Sequence, residues 1–517
     1  MKKLTLLLCF VSFLTKAQNI TVASGKSFTI EKTGAVTMSG NFSNAGTFTL
    51  NSDSNEFSSI IIGGSVTGNI TYNRYVNSVG TNEWDLIGAP VEGQSINSFV
   101  TANTSTLATN GATKAIGYYN NTDNTWTNYT TSTIGGAGNF PLGKGFQMAT
   151  IANGTGILSF TGAPTATNQT WTIIDNDAAN SGAGTRWNLV ANPFPSYIYG
   201  NANADSSHNF LTVNSDKLND SYEAIYGYDA DGSGYTVYNN TSAALRLAPG
   251  QAFMVASDNA ENDTISFTTA MRTTTGGDDL IVGRDPIDSF ELVLKLYEGD
   301  SEIDHTKFYF GDGLSLNLDP GYDAGHFNQG ASLMSRLVDE DEGVGLVINA
   351  MGLESVNDVV APLELNIEAG NNFRISIGTF NIDTAINVYL EDNVQETMTL
   401  LNDQDFELTA ENELSGVGRF FIHLTETLLS IDDKIETNYL NVFKADVNNF
   451  ITVEGLANQW NGTKLRLYTI LGKEVIFTTL NNTNNKQTIS TQGLSPGIYI
   501  VKLESGNILL TKKLFIK

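Results

Sequence analysis

Cysteine is almost absent from this chain of 517 residues: it occurs once, at Cys9. One cysteine cannot form an internal disulfide, and a cysteine zinc site needs several thiolates. Histidine is nearly as scarce, and the four histidines are His208, His305, His326 and His423. None of them has a partner at the spacing that places two metal ligands on one helix face. The sequence therefore excludes disulfide scaffolds and the common zinc hydrolase motif.

Basic residues are also few, and their distribution is uneven. The chain has 28 Lys and Arg against 55 Asp and Glu, for a net charge of −27. Residues 18–429 hold 15 basic and 48 acidic residues (a net of −33), whereas residues 430–517 hold 10 and 7 (a net of +3). An acidic surface repels nucleic acid and anionic lipid, so neither is an expected partner. The excess of carboxylates is compatible with bound divalent cations or with a merely solvated surface.

Long hydrophobic runs are missing as well. The apolar stretch Leu4 to Leu14 is too short to span a bilayer, which takes about 20 residues. It follows the basic start Lys2-Lys3 and precedes the small residue Ala17, a pattern typical of a secretory signal peptide. We therefore expect residues 1–17 to be removed on export. The mature chain would then have no cysteine, no thiol nucleophile and no transmembrane segment.

Short Val, Ile, Thr and Phe runs between Gly and Asn turns predict an all-β protein. In residues 18–70, apolar triplets such as Phe28-Thr29-Ile30 and Phe48-Thr49-Leu50 alternate with glycines. Such triplets favour a short β-solenoid-like segment, with a small meander as the alternative. From residue 71 on, we expect tandem β-sandwich domains of the Ig-like or jelly-roll type.

An internal duplication follows the first segment. Trp84-Asp85-Leu86-Ile87 is echoed by Trp187-Asn188-Leu189-Val190. Two further blocks follow in the same order: Gly145-Phe146-Gln147-Met148 corresponds to Ala252-Phe253-Met254-Val255, and Leu158-Ser159-Phe160-Thr161 to Ile265-Ser266-Phe267-Thr268. The matched blocks predict two homologous β-sandwich units, at 71–165 and 170–275, in which Trp84 and Trp187 belong to the core. Surface aromatics such as Trp126 and Tyr235 remain candidates for stacking on sugars.

An apolar-free linker, Thr273 to Asp279, precedes the most acidic part of the chain. Alternating strands at 285–426 predict an acidic β-sandwich. The segments Gly321 to Phe327, Val388 to Asp392 and Gly418 to Phe420 resemble a module that precedes sorting tails in large flavobacterial surface proteins. That module has no assigned chemistry.

Residues 438–517 predict a seven-strand sandwich with hairpin turns at Leu471-Gly472 and Gly506-Asn507. Their motifs resemble the type A C-terminal sorting domain of the Bacteroidetes type IX secretion system. The residues that carry this resemblance are Leu471, Gly472, Lys473, Gly493, Leu494, Gly497, Tyr499, Val501, Lys502, Gly506, Lys512 and Lys513. Where such tails usually have Tyr-Pro-Asn-Pro, this chain has Phe443-Lys444-Ala445-Asp446.

The resemblance implies an address and a processing event. It implies that the outer-membrane translocon recognises the tail, and that the tail is then cleaved near the linker Thr427 to Asn438. The body would be released from the cell or attached to surface lipopolysaccharide. We therefore expect a secreted or outer-surface location.

No sequence motif for catalysis stands out: the chain has no nucleophile elbow, P-loop or dinucleotide fingerprint, and we expect no enzymatic activity and no cofactor. The best local candidate is a calcium loop at Asp229, Asp231 and Ser233, whose oxygens alternate before a glycine. A plain Asp-Gly hairpin explains the same residues. Three functions stay open: adhesion or a structural role, capture of glycans or matrix, and a secreted hydrolase of unrecognised type.

Overall fold

A computed structural model describes residues 18–79, 84–179, 184–229, 234–259, 262–279, 290–327, 330–382, 385–426, 440–444, 450–459, 462–469, 472–506 and 508–516. The predicted signal peptide at 1–17 and the predicted cleavage region lie outside these residues. The fold is all-β, with 50% of residues in strands and 7% in helices. No helix in the described ranges is both long and apolar enough to cross a membrane.

The first eight strands form parallel sheets. They are β1 Ile20–Val22, β2 Ser27–Ile30, β3 Ala35–Met38, β4 Phe42–Asn44, β5 Thr47–Asn51, β6 Ser59–Ile62, β7 Val66–Thr67 and β8 Ile70–Tyr75. Strands of successive turns pair in parallel as β1-β4-β7, β2-β5-β8 and β3-β6. Ile30, Leu50 and Tyr72 stack in register and are all buried. The parallel pairing is that of a β-solenoid and differs from an antiparallel meander.

Two units with the same strand order follow the solenoid. The first comprises β9 Asp85–Ile87, α1 Ile96–Ala102, β10 Thr109–Asn110, β11 Thr113–Asn120, β12 Thr125–Thr130, β13 Phe146–Met148 and β14 Ile157–Gly162. The second comprises β15 Gln169–Ile173, α2 Asn176–Ala179, β16 Trp187–Ala191, β17 Tyr197–Tyr199, α3 Phe210–Asn214, β18 Ile225–Asp229, β19 Gly234–Tyr238, β20 Arg246–Leu247, β21 Ala252–Ala256, β22 Asp263–Phe267 and β23 Arg272–Thr273. The order β9-β13-β11-β12 in the first unit corresponds to β16-β21-β18-β19 in the second.

The registers of the two units also correspond. Ile87 pairs with Phe146 in the first unit, as Val190 pairs with Phe253 in the second. Each unit repeats one side-chain clamp, in which an asparagine at the C-terminal end of a short helix bonds the backbone of a serine, in β14 of the first unit and in β22 of the second. Asn103 clamps Ser159, and Asn214 clamps Ser266, each through one donated and one accepted hydrogen bond. Such two-way clamps satisfy buried backbone groups that would otherwise be unpaired.

The two units contact each other reciprocally. The amide of Gly88 donates to the carbonyl of Gly250 at 2.7 Å, and the amide of Ala191 donates to the carbonyl of Gly143 at 2.9 Å. Gly88 aligns with Ala191, and Gly143 aligns with Gly250, in the matched blocks. The same pair of contacts is therefore made in both directions, as in a two-fold symmetric dimer interface.

The predicted boundary at residue 70 does not separate two cores. The last solenoid strand, β8, pairs in parallel with β5 and antiparallel with β14 of the first unit. One hydrophobic core accordingly extends from Leu50 in the solenoid to Phe99 and Phe160 in the first unit. The solenoid and this unit are thus joined by a shared sheet and a shared core, because β14 uses the open edge of β8.

The acidic part forms one sheet instead of the predicted two-sheet sandwich. Its strands are β24 Phe290–Glu298, β25 Ser301–Gly311, β26 Ala324–Gly325, β27 Ser332–Ser335, β28 Leu346–Gly352, β29 Asp358–Asn366, β30 Asn372–Phe380, β31 Asn387–Asp392, β32 Thr397–Leu400, β33 Phe406–Thr409 and β34 Phe420–Thr425. The order is β32-β31-β34-β29-β27-β28-β25-β24-β30-β33, with β26 beside β28. The sheet is nearly closed and barrel-like, since inward residues of all its long strands share one core.

The tail has seven described strands, as predicted. They are β35 Asn441–Phe443, β36 Phe450–Glu454, β37 Thr463–Thr469, β38 Glu474–Leu480, β39 Gln487–Ser490, β40 Gly497–Ser505 and β41 Ile508–Ile516. They form two sheets, β35-β36-β39 and β38-β37-β40-β41, around one core. Short 3-10 helices of the body lie at Ile134–Gly136, Ser215–Lys217, Asp220–Tyr222, Thr269–Met271 and Leu353–Asn357, and one of the tail lies at Leu456–Asn458.

Candidate functional site

Most of the predicted sorting residues lie at turns or on the last hairpin of the tail. Gly472 has a left-handed φ of 81° in the turn between β37 and β38, where it donates to the carbonyl of Thr469. Lys473 beside it is exposed, while Leu471 lies outside the described residues. Gly493 and Leu494 form the turn before β40, and Gly506 has a left-handed φ of 56° after it.

The hairpin of β40 and β41 brings the remaining predicted residues together, beginning at Gly497. Tyr499 and Val501 point into the tail core, whereas Lys502 lies on the other face of β40. Val501 pairs with Lys512, and Ile500 pairs with Lys513. Successive strand residues face opposite sides, so the two lysines are presented to different surroundings. Lys513 is exposed to solvent, and Lys512 is half-buried against the acidic sheet of the body.

A buried ion cluster joins the tail to the body at this point. Arg336, which follows β27, is fully buried, and its guanidinium contacts three carboxylates. The distances are 2.8 Å to Asp341, 2.9 Å to Glu364 and 3.1 Å to Glu454, the last being a fully buried residue of the tail. Lys486 of the tail lies 2.6 Å from the other oxygen of Glu454. Buried carboxylates need such partners, because an isolated charge in the interior is very costly.

Lys512 and two neighbours close the contact around Asp341. The Lys512 Nζ donates to the backbone carbonyl of Asp341 at 2.8 Å. The side-chain amide of Asn441 donates to that carbonyl at 3.1 Å and to the Asp341 carboxylate at 3.0 Å. Burial lowers the pKa of Lys512, against the opposing effect of nearby acidic residues. The Phe443 ring packs on Gly343 and lies 5.7 Å from the Arg336 guanidinium carbon.

Sequence reasoning missed this cluster. The run Asp339-Glu340-Asp341-Glu342 reads as a solvated acidic loop, and three of its four residues are indeed exposed. Asp341 is 5% exposed and belongs to the ion cluster. The available signal was Arg336 itself, since an arginine within the apolar stretch Leu333 to Val338 must bury its charge beside carboxylates.

The calcium prediction remains untested. Asp229 is the last residue of β18 and pairs with Gly234, the first residue of β19. Asp231 and Ser233 lie outside the described residues. Among the residues that are described, no group of three or more His, Cys, Asp or Glu side chains is arranged to hold a metal ion.

An aromatic and amide-rich face lies on β11 and β12 of the first unit. Trp126 is 38% exposed, and its ring centroid lies 5.2 Å from that of Tyr119 on the paired strand. The Tyr119 hydroxyl bonds to Asn124 and to Thr185, both at 2.8 Å. A second polar pair lies two residues further along β12, where Gln147 of β13 donates to Asn128 at 2.7 Å. Trp84 and Trp187, in contrast, are half-buried and pack against core clusters, and Tyr235 packs on Phe327.

Two buried carboxyls mark the contact between the second unit and the acidic sheet. Desolvation raises the pKa of Glu223 to about 7, and Asp220 adds to the shift. Desolvation likewise raises the pKa of Asp323 to about 7, although two backbone amides donate to its carboxyl group. A methyl group at Gly321 would lie 3.2 Å from a Glu223 oxygen, so the loop that carries Asp323 covers Glu223.

These shifts predict a loss of stability towards alkaline pH. A carboxyl whose pKa is raised on folding stabilises the fold below about pH 4.5, its unfolded pKa, and loses that contribution as the pH rises through 7. We expect the free energy of unfolding to fall between pH 5 and pH 8. Glu223→Gln should reduce that fall by about 1–2 kcal/mol, as measured by urea unfolding at both pH values. Asp312→Asn, at an exposed loop position, is the control and should leave the difference unchanged.

Comparison with known families accounts for nearly all of the chain. Residues 10–423 match the family described as Domain of unknown function (DUF8693), and residues 445–517 match the Secretion system C-terminal sorting domain. No curated protein matches the chain. The second match is the type IX secretion signal that is characteristic of Bacteroidetes proteins, and it indicates export to the cell surface or the medium. The chain thus belongs to the DUF8693 family of unknown function and ends in a type IX secretion sorting domain.

Proposed function

We propose that this chain is a non-catalytic, surface-displayed or secreted β protein that acts in adhesion or as a structural element. The observation that carries the proposal is the sorting domain, which engages the type IX machinery and delivers the body outside the cell. The body suits display, because its solenoid, duplicated units and acidic sheet are joined by shared cores and not by loose linkers alone. Attachment to surface lipopolysaccharide after tail cleavage is part of this proposal.

The two corresponding units of the body also support the proposal. The matched strand orders, registers and asparagine clamps support an origin of the two units by duplication of one ancestral β-sandwich unit. The reciprocal contacts of Gly88 and Ala191 support a fused dimer, in which the units stabilise each other. A rigid pair of this kind would hold its outer faces at a fixed orientation from the cell surface.

The adhesive role can be tested with cells. A strain that lacks the gene and a complemented strain should differ in attachment to abiotic, matrix-coated and cell-coated surfaces. We expect attachment to fall at least severalfold without the protein and to return with it. If the two strains attach equally well to each of the three surfaces, while the protein is shown to be outside the complemented cells, the adhesive role is ruled out.

Glycan binding is a second candidate, which the Trp126 face favours. An exposed indole beside a hydrogen-bonded tyrosine offers an apolar platform, and the Asn128 and Gln147 amides supply donors and acceptors at its edge. Sugar rings have an apolar face and a rim of hydroxyls, so they match this combination. An acidic body favours neutral glycans over sulfated or carboxylated ones.

The glycan candidate makes a measurable prediction for Trp126→Ala. Loss of the indole should weaken binding of a neutral polysaccharide at least tenfold, about 1.4 kcal/mol, in calorimetry with the full mature chain. Phe290→Ala removes another exposed ring, 46% exposed on the acidic sheet, and should leave affinity unchanged. A glycan array with no hit for the unaltered protein would eliminate this candidate.

A further inference from the structure

The tail and the body contribute charged side chains of opposite net charge to the contact between them. The body contributes Arg336, Asp341 and Glu364, and the tail contributes Glu454, Lys486 and Lys512. These groups amount to one cation and two carboxylates from the body, against two cations and one carboxylate from the tail. The cluster as a whole is neutral, whereas each half alone carries a net charge of opposite sign. The wider chain has the same bias, with −33 on residues 18–429 and +3 on residues 430–517.

Packing and backbone contacts extend the interface beyond the ions. The ring of Phe443 fills the space above Gly343, where a methyl group would collide with it. A second contact is made by the residue that precedes Lys486 in the tail, since the side-chain amide of Asn485 donates to the carbonyl of Val417. Next to it, a methyl group on Gly418 would come within 3.0 Å of the Gly455 Cα, so two backbones touch closely. The tail thus contacts two segments of the acidic sheet, residues 336–343 and residues 417–418.

None of these contacts involves residues 427–439, where the tail joins the body. Hydrolysis of one peptide bond there adds one water molecule and leaves a carboxylate on the body and an ammonium group on the tail. It would break none of the contacts described above. Separation of the pieces would instead transfer Arg336 and Glu454, both fully buried, to water or leave them with fewer partners.

We propose that the cut tail stays bound to the body as a non-covalent subunit, and that release requires the opening of the Arg336–Glu454 interface. The same interface covers Lys512 while Lys513 stays exposed, so one of the two adjacent lysines becomes available only after release. The inference depends on the proposed export only for the natural cut, and the retention itself can be tested on purified protein.

The test uses the full mature chain with a site-specific protease sequence inserted within residues 427–439. After complete cleavage, we expect the tail to co-elute with the body on size exclusion at micromolar concentration. The double variant Glu454→Gln/Phe443→Ala should release it, with a dissociation constant at least tenfold higher. Glu474→Gln removes an exposed ion pair of the tail and is the matched control, so the cut tail that carries it should stay bound to the body.

A second readout keeps the proposal falsifiable if the double variant fails to fold. Mild acylation of the cut wild-type protein, followed by mass spectrometry, should modify Lys512 at least tenfold more slowly than Lys513. Free elution of the wild-type tail after cleavage would overturn the proposal, whether or not the protein is exported by cells. Equal modification of the two lysines would contradict the claim that the interface shields Lys512 from solvent.

Discussion

Deletion of residues 438–517 should leave the protein in the periplasm and lower its amount at the surface and in the medium at least tenfold. The physical reason is that the deletion removes the whole matched sorting domain, including the exposed turns at Gly472 and Gly493 and the hairpin of β40 and β41. Cell fractionation and immunoblotting against the body measure the effect. Normal export of the truncated chain would contradict the assignment of the tail as the address.

A control must separate lost recognition from lost folding. Within the body, Arg336 keeps Asp341 and Glu364 as ion-pair partners after the tail is removed. We therefore expect residues 18–426 to stay folded, with a β-type circular dichroism spectrum and a cooperative thermal transition. If the truncated body proves unfolded, the substitution of Lys513 and Lys473, both exposed, addresses recognition without removing the core of the tail.

Arg336→Ala should produce the largest loss of stability of any single substitution at the junction. It leaves Asp341 and Glu364 close together without their shared cation, and Glu454 with Lys486 alone. Removal of one partner from a buried ion cluster costs about 3–5 kcal/mol, because the remaining charges stay desolvated. Calorimetry of the full mature chain should show the transition of the acidic sheet and tail shifted down by several degrees or more.

Arg374→Ala is the matched control for this prediction. Arg374 also pairs with a carboxylate at 2.7 Å, that of Asp405, but its side chain is 27% exposed and its partner is 42% exposed. A solvent-exposed pair contributes under about 1 kcal/mol, so the transition should barely move. Similar losses for the two variants would show that burial of the Arg336 cluster has little energetic weight.

Local patterns predicted the strands well. The all-β composition and the seven tail strands followed from the apolar alternation and the turn glycines, and both are present. The matched blocks around Trp84 and Trp187 coincide with strands that pair in the same register. These features depend on neighbours within about ten residues or on a repeated pattern, and both are visible in one sequence.

Contacts between distant segments could not be predicted in the same way. The single barrel-like sheet depends on the parallel pairing of β25 with β28, which no alternation within either strand specifies. The shared core of the solenoid and first unit depends on β14 finding the open edge of β8. The Arg336 cluster joins Arg336 to Glu454, which lies 118 positions further along the chain. The only local sign of the cluster was the apolar sequence around Arg336. Pairings of this kind depend on the three-dimensional fold and not on local periodicity.

A tail that acts as the export signal should deliver any protein that precedes it, and a transplanted tail shows whether it does. Residues 427–517 should be fused to a soluble periplasmic reporter in a bacterium with a working type IX system, and reporter activity measured outside the cells. We expect the fusion to reach the surface or the medium while the reporter alone stays inside. Retention of the fusion in the periplasm, in cells that export the full chain, would contradict it.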